Sequence, residues 1–167
     1  MKELFAGILT HAEQGEDLVL VSILSSSGSA PRGKGAQMLI GKGGRLCGTI
    51  GGGNVEYLAQ RRALELLEEK RSERQFFPLH KGDGEIGMIC GGEVEVWLQF
   101  VDSGDGCWKA LARKVLEYLT VRKAGWLVQM LDGSPAQLWE EMPPQNDKLL
   151  ALPLPIGERA VIFGGGH

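Results

Sequence analysis

The stretch Gly48-Thr49-Ile50-Gly51-Gly52-Gly53-Asn54-Val55-Glu56 joins two different hydrophobic periods. Before it, Arg45 to Ile50 reads as a short strand; after it, Val55, Leu58, Ala59, Ala63, Leu66 and Leu67 recur at helical spacing, with Glu56, Arg61, Glu65 and Glu68 off that stripe. A strand that passes into a helix through glycines predicts an α/β fold with helices packed on a sheet. Three successive glycines also expose backbone N–H groups that can form a concave anion nest, to which the following helix adds its positive end. Asn54 is the expected N-cap. A tight turn that needs glycine only for its backbone conformation accounts for the same residues.

Outward from this turn the elements alternate. Ala36 to Ile40 and Arg45 to Ile50 flank Gly41-Lys42-Gly43-Gly44 and predict a hairpin with glycine at positive φ. Leu18 to Leu24 is apolar almost throughout, as a central strand covered on both faces would be. Leu4, Phe5, Ile8, Leu9 and Ala12 form the inner stripe of a short first helix that Gly15 and Asp17 end. Downstream, Arg74 to Leu79 is a strand candidate, and Glu93 to Val101 alternates so that Val94, Val96, Leu98 and Phe100 share a face. Trp108, Leu111, Ala112, Val115, Leu116 and Leu119 mark a further helix, with Asp105 as N-cap and Arg122 and Lys123 at its negative end. Trp126 to Leu131 and Leu149 to Leu152 are two more strands, joined by a loop containing Pro143 and Pro144. The expected whole is a mixed sheet with packed helices.

Two other segments carry chemistry. Ser27-Gly28-Ser29-Ala30-Pro31-Arg32-Gly33-Lys34-Gly35-Ala36-Gln37-Met38 sets hydroxyls and two cations on the loop leaving the central strand. Arg32 offers a planar fork for a phosphate and Ser29 a hydroxyl, although spacing alone favours an ordinary surface turn with solvated charges. Gly87-Met88-Ile89-Cys90-Gly91-Gly92-Glu93-Val94 holds a thiol among glycines just before a strand, where backbone N–H groups would favour a thiolate able to bind metal or carry sulfur. A buried, inert cysteine is the alternative for Cys90, and it describes Cys47 and Cys107 more readily.

Bulk properties exclude several classes. With 18 basic and 21 acidic residues, a net charge of -3 and no basic block, the chain is no reader of the nucleic-acid backbone. Its 3 cysteines lack C-x-x-C pairing, which argues against a disulfide framework or a zinc site and fits a reducing cytoplasm. His11, His80 and His167 show no ligand spacing. No signal peptide and no membrane-length apolar run is present, so no membrane association is expected.

The last residues stand apart. Ala160-Val161-Ile162-Phe163 followed by Gly164-Gly165-Gly166-His167 is similar to the opening of a dinucleotide-binding βαβ unit, with the chain stopping before the helix. Pro153-Leu154-Pro155 before it has linker character, although a terminal strand of the main sheet is the other reading. The expected organisation is a domain over residues 1–155, then a linker and the first strand of an incomplete Rossmann-like domain over residues 156–167.

Taken together and in order, Gly28 to Arg32 with Gly35-Ala36 and Met38, Gly48 to Glu56, Cys90 to Val96, and Val161 to His167 resemble the XdhC/CoxI family, accessory proteins of molybdenum hydroxylases. The resemblance covers the whole chain and implies the XdhC-type amino-terminal domain followed by the start of a Rossmann domain. It also implies a cytoplasmic maturation factor that binds the molybdenum cofactor, a molybdopterin, assists its sulfuration and delivers it to a xanthine-dehydrogenase-type hydroxylase. A cysteine desulfurase would supply the sulfur, and a nucleotide at the missing Rossmann domain is a further expected ligand.

Many members have cysteine where this chain has Asn54, which cannot act as a thiolate. Cys90 is then the candidate for sulfur chemistry and for metal contact, and simple cofactor binding has the stronger case. Ser29, Arg32, Gly51, Gly52, Gly53, Asn54, Glu56, Gly91 and Gly92 are the expected cofactor-binding set, with Glu56 orienting a neighbouring group. Such proteins are sometimes labelled xanthine dehydrogenase, yet the sequence has no iron–sulfur cysteine set or flavin site, so an accessory protein is expected, not a complete enzyme. An unfinished Rossmann edge would invite a homodimer. The rival readings are a nucleotide-dependent oxidoreductase whose Rossmann half is missing, and an interaction domain without a small ligand.

Overall fold

The computed structural model describes residues 1–28, 32–78 and 92–157. Among the described residues three helices, α1 (Lys2–Glu13), α2 (Gly53–Glu69) and α3 (Gly106–Val121), pack against two antiparallel sheets. The larger sheet holds β1 (Leu18–Ser26), β2 (Gln37–Gly41), β3 (Gly44–Gly48), β4 (Glu73–Pro78) and β5 (Glu93–Val101) in the order β3-β2-β1-β5-β4. The smaller holds β6 (Trp126–Met130), β7 (Gln137–Trp139) and β8 (Leu149–Pro153) in the order β7-β6-β8. This is the expected α/β layering, with the strands divided between two sheets.

The apolar run of β1 places it at the centre, paired with β2 on one side and β5 on the other. Its residues alternate between two cores, as a strand's period of two requires. Val19, Val21 and Ile23 join Met38, Ile40, Val96 and Leu98 under the α2 stripe of Val55, Ala59, Ala63 and Leu66. Leu18 and Leu20 face the other way, toward Leu4, Phe5 and Ile8 of α1 and Leu111, Ala112 and Val115 of α3. Each Val, Leu, Ile, Met or Phe among them contributes about 1.5–3 kcal/mol through burial. A carboxylate at Val21 would therefore break the fold.

Between β3 and β4 the chain must cross from one edge of the larger sheet to the other. Four strand spacings are about 19 Å, and the 17 residues of α2 reach about 25 Å. The helix thus spans the sheet and covers one face as it crosses. Lys70 ends it in the left-handed conformation, φ 52°. For α3, Asp105 is the N-cap read from the sequence, its carboxylate accepting from the Cys107 N–H at 2.8 Å.

The smaller sheet lies over the face of the larger one that α2 leaves open, sharing Leu24, Trp97 and Leu150 in one cluster. A chain of buried polar groups ties the two sheets together. Gln37 Nε2 donates to Ser22 Oγ at 2.9 Å and Gln129 Oε1 at 3.1 Å, and Ser22 Oγ donates to the same Gln129 Oε1 at 2.7 Å. Gln129 Nε2 donates to Gln99 Oε1 at 2.8 Å, and Gln99 Nε2 to the Ser134 carbonyl at 2.7 Å.

Three local readings change. β7 falls where a loop was expected, because its pairing with β6 holds a segment too short to show alternation. Phe100 does not share the enclosure of Val94, Val96 and Leu98 and is only half-buried. Pro153-Leu154-Pro155 is packed, not linker-like: Pro153 ends β8, Leu154 is 5% exposed within the main core, and Ile156 lies against that core. Residues 158–167, with the Rossmann-like segment, lie outside the described residues.

Candidate functional site

Antiparallel pairing gathers the sequence motifs at one end of the larger sheet. The ends of β1, β3 and β4 and the starts of β2 and β5 all meet there. At this end the first and third motifs touch through their backbones. Ser27 N–H donates to the Glu93 carbonyl at 2.9 Å, and Glu93 N–H donates to Ser27 Oγ at 2.9 Å. A Cβ on Gly92 would lie 2.0 Å from the Ser27 carbonyl oxygen, so only glycine permits this approach. Ser29, Cys90 and Gly91 lie outside the described residues.

The glycine turn is organised by a carboxylate of the chain itself. Glu56, 6% exposed in the first turn of α2, reaches back so that Oε2 accepts from Ile50 N–H at 3.1 Å, Gly52 N–H at 3.0 Å and the Thr49 hydroxyl at 2.5 Å. Its Oε1 takes a 2.8 Å ion pair from Arg45. Gly51 N–H donates to Thr49 Oγ1 at 3.1 Å. The expected anion nest is therefore already filled. Burial pushes the Glu56 carboxyl up, but bonds from Thr49, Gly52 and Ile50 and the charge of Arg45 outweigh it and hold the group below the usual range.

This arrangement corrects two expectations. The amides of Gly51 and Gly52 are engaged within the protein and are not open to a phosphate. Asn54 is not the N-cap: the helix begins at Gly53 after Gly52, whose φ of 77° and ψ of -167° suit glycine, and Asn54 is exposed one residue further on. The reason is geometric, since the Glu56 carboxylate bonds the Gly52 N–H that a capping side chain would otherwise leave to water. Glu56 bonds the turn itself, through Thr49, Ile50 and Gly52.

Beside the turn is a cleft of about 410 Å³. Arg32, Lys34 and Gln37 from the first motif and Gly48 and Thr49 from the second line it, together with Glu3 and Leu4 of α1 and Leu152 of β8. Arg32 and Lys34 are exposed and neither makes an ion pair to a described residue. Gly51, Gly52, Gly53, Asn54 and Glu56 do not line this cleft, nor does Gly92. Two cations over a partly apolar wall suit an anion joined to a flat apolar or aromatic body.

The described thiols are poor nucleophiles. Burial, and then the nearby Glu3 carboxylate, push the half-buried Cys47 thiol up; the hydrogen bond to Asp105 does the same for the exposed Cys107. Among the described residues no group of three or more His, Cys, Asp or Glu side chains is placed to hold a metal ion. Sequence reasoning passed over Ser22, Gln37, Gln99 and Gln129. Their signal was present as single polar residues interrupting apolar strand runs, which need buried partners when the strand is enclosed.

Comparison with known proteins agrees with this geometry. The XdhC and CoxI family model matches residues 11–78, a span that includes the cationic loop and the glycine turn. The molybdenum cofactor insertion chaperone PaoD of Escherichia coli (strain K12) is 35% identical over 88 residues, which are 50% of this chain and 26% of PaoD. The uncharacterized protein YqeB of the same organism is 38% identical over 88 residues, 52% of this chain and 16% of YqeB. The chain thus matches only a minor part of each relative's length. A solved Bacillus halodurans structure described as a xanthine dehydrogenase superposes with a TM-score of 0.64 at 20% identity, over 90% of this chain and 52% of the other, a likeness of fold. Both motifs that build the cleft fall within the matched span, so over residues 11–78 the chain is similar to the XdhC and CoxI family.

Proposed function

We propose that this chain binds the molybdenum cofactor as cargo and takes part in its maturation for a hydroxylase of the xanthine dehydrogenase type. The observation that carries the reading is the convergence of the first two motifs on one cleft, with Arg32 and Lys34 facing Gly48 and Thr49. The insertion role in PaoD's name supports the same cargo. Arg32 would grip the terminal phosphate through its planar fork, Lys34 would add charge, and Ser29, on the same loop, would donate a hydroxyl. Gly53 and Asn54, at the positive end of α2, remain for an anion at the rim, while Glu56 holds the turn in place.

The bound cofactor supplies the redox-active molybdenum centre of the receiving enzyme. Cys90, Gly91 and Gly92 would stand near the metal, with Cys90 able to accept sulfur from a cysteine desulfurase. A homodimer, a cytoplasmic site of action, the division at residues 155 and 156 and a nucleotide bound by the Rossmann-like segment belong to the same proposal.

Anaerobic equilibrium binding of the isolated molybdenum cofactor to the whole protein tests it. Saturable binding should weaken about tenfold or more in Arg32→Ala, the usual consequence of losing a charge-assisted pair, and Cys90→Ser reports whether the thiol contributes. Absence of saturable binding by the wild type overturns the proposal.

A further inference from the structure

The polar chain between the sheets has a direction, and that direction has an outlet in the cleft. The Ser134 carbonyl can only accept, so the Gln99 group facing it must be the amide nitrogen. Gln99 therefore turns its oxygen to Gln129, whose nitrogen donates there. Gln129 is left to present its oxygen to Ser22 and Gln37, and both donate to it. A backbone atom at one end thus fixes every amide up to the other.

Gln37 is the last member. Its nitrogen is spent on Ser22 and Gln129, and its Oε1 makes no hydrogen bond to any described residue. Nor is that oxygen among the enclosed side-chain atoms without partners, which among the described residues are Gln75 Oε1 and Trp97 Nε1. Gln37 is 7% exposed and lines the cleft beside Arg32, Lys34 and Thr49. Hence the cleft contains, besides Arg32, Lys34 and the Glu3 carboxylate, a neutral amide acceptor that cannot rotate into a donor.

We propose that Gln37 is a specificity-determining residue, and that the cleft takes a phosphate-bearing heterocycle whose ring carries N–H donors. Arg32 and Lys34 meet the phosphate, Leu152 and Pro153 pack against the ring, and Gln37 Oε1 accepts from a ring amino or imino group. A site built to accept rejects a ligand of equal charge that lacks the donor, because the acceptor is then left desolvated and unpaired. Pterins and guanine nucleotides share this chemistry. The inference deepens the proposed function and rests on the cleft being its binding site.

The test compares three probes by titration calorimetry on the whole protein: a pterin phosphate, guanosine monophosphate and 1-naphthyl phosphate, which has similar charge and no N–H. The wild type should favour at least one of the first two over naphthyl phosphate by about five- to tenfold, the usual effect of one hydrogen bond. The favoured probe identifies the source of the ring. Gln37→Met should abolish that preference, with naphthyl phosphate bound no more weakly than by the wild type, and Arg32→Ala should weaken all three. Equal binding of the three by the wild type, no binding of any, or a preference that survives in Gln37→Met overturns the inference.

If Gln37→Met folds poorly, the 13Cδ resonance of Gln37 in the wild type decides: it should move with the favoured probe and stay with naphthyl phosphate. Molybdenum cofactor binding without a Gln37-dependent preference defeats this inference alone. A Gln37-dependent preference for the nucleotide without molybdenum cofactor binding defeats the proposed function alone.

Discussion

At the scale of single residues, Glu56 shows how a sequence motif can be seen while its purpose is misplaced. Three glycines before a helix signalled an anion nest, and the nest exists, but its anion is the carboxylate of the fourth residue of that helix. A periodicity argument cannot reveal this, because it depends on a side chain folding back over the turn. Glu56→Gln can keep its carbonyl in the nest, yet it then sets an amide NH2 against Arg45. We expect a loss of about 1–2 kcal/mol at pH 7, measured by urea unfolding. The folded carboxyl is lowered, so its stabilisation is complete above the unfolded value of about 4.3 and is lost as pH falls through the lower folded value. The gap between wild type and variant should therefore narrow on acidification across that window. An unchanged gap would show that Glu56 does not titrate as the turn's anion.

At the scale of elements, the central strand, the hairpin and all three helices were readable because each presents a long, regular apolar period. The short β7 was not, since its existence depends on β6 as a partner. The joint between the sheets is likewise a matter of partners: Ser22, Gln99 and Gln129 look like isolated interruptions until two sheets are brought face to face. Gln129→Met should leave the Ser22 hydroxyl proton and Gln99 Oε1 without a partner at a buried site. The expected cost is about 2–4 kcal/mol in denaturant unfolding. Amide exchange should accelerate in β6 and β8 more than in β1, because the smaller sheet loses its polar attachment while the central strand keeps its ladder. A uniform acceleration would mean that the network stabilises the whole core and not this joint.

At the scale of the molecule, a chain of net charge -3 presents a cleft flanked by two exposed cations. Exposed charges are screened over about 10 Å at 0.1 M salt, so molybdenum cofactor affinity should fall several-fold when ionic strength is raised tenfold, and less in Arg32→Ala. Salt-independent binding would remove Arg32 and Lys34 from the site. The helical and strand periods, the cap at Asp105 and the ordered motifs were determined by the sequence alone, since each rests on residues close together in the chain. Only the tertiary structure decided that β1, β2, β3 and β5 bring the motif loops to one end of a sheet, that the amides of Gly51 and Gly52 are already engaged, and that Gln37 lines the cleft with its amide nitrogen already bonded. The physical reason is the same in each case: hydrogen-bond partners and sheet register are set between segments distant in the chain, and local pattern carries no information about which groups are left over after they pair.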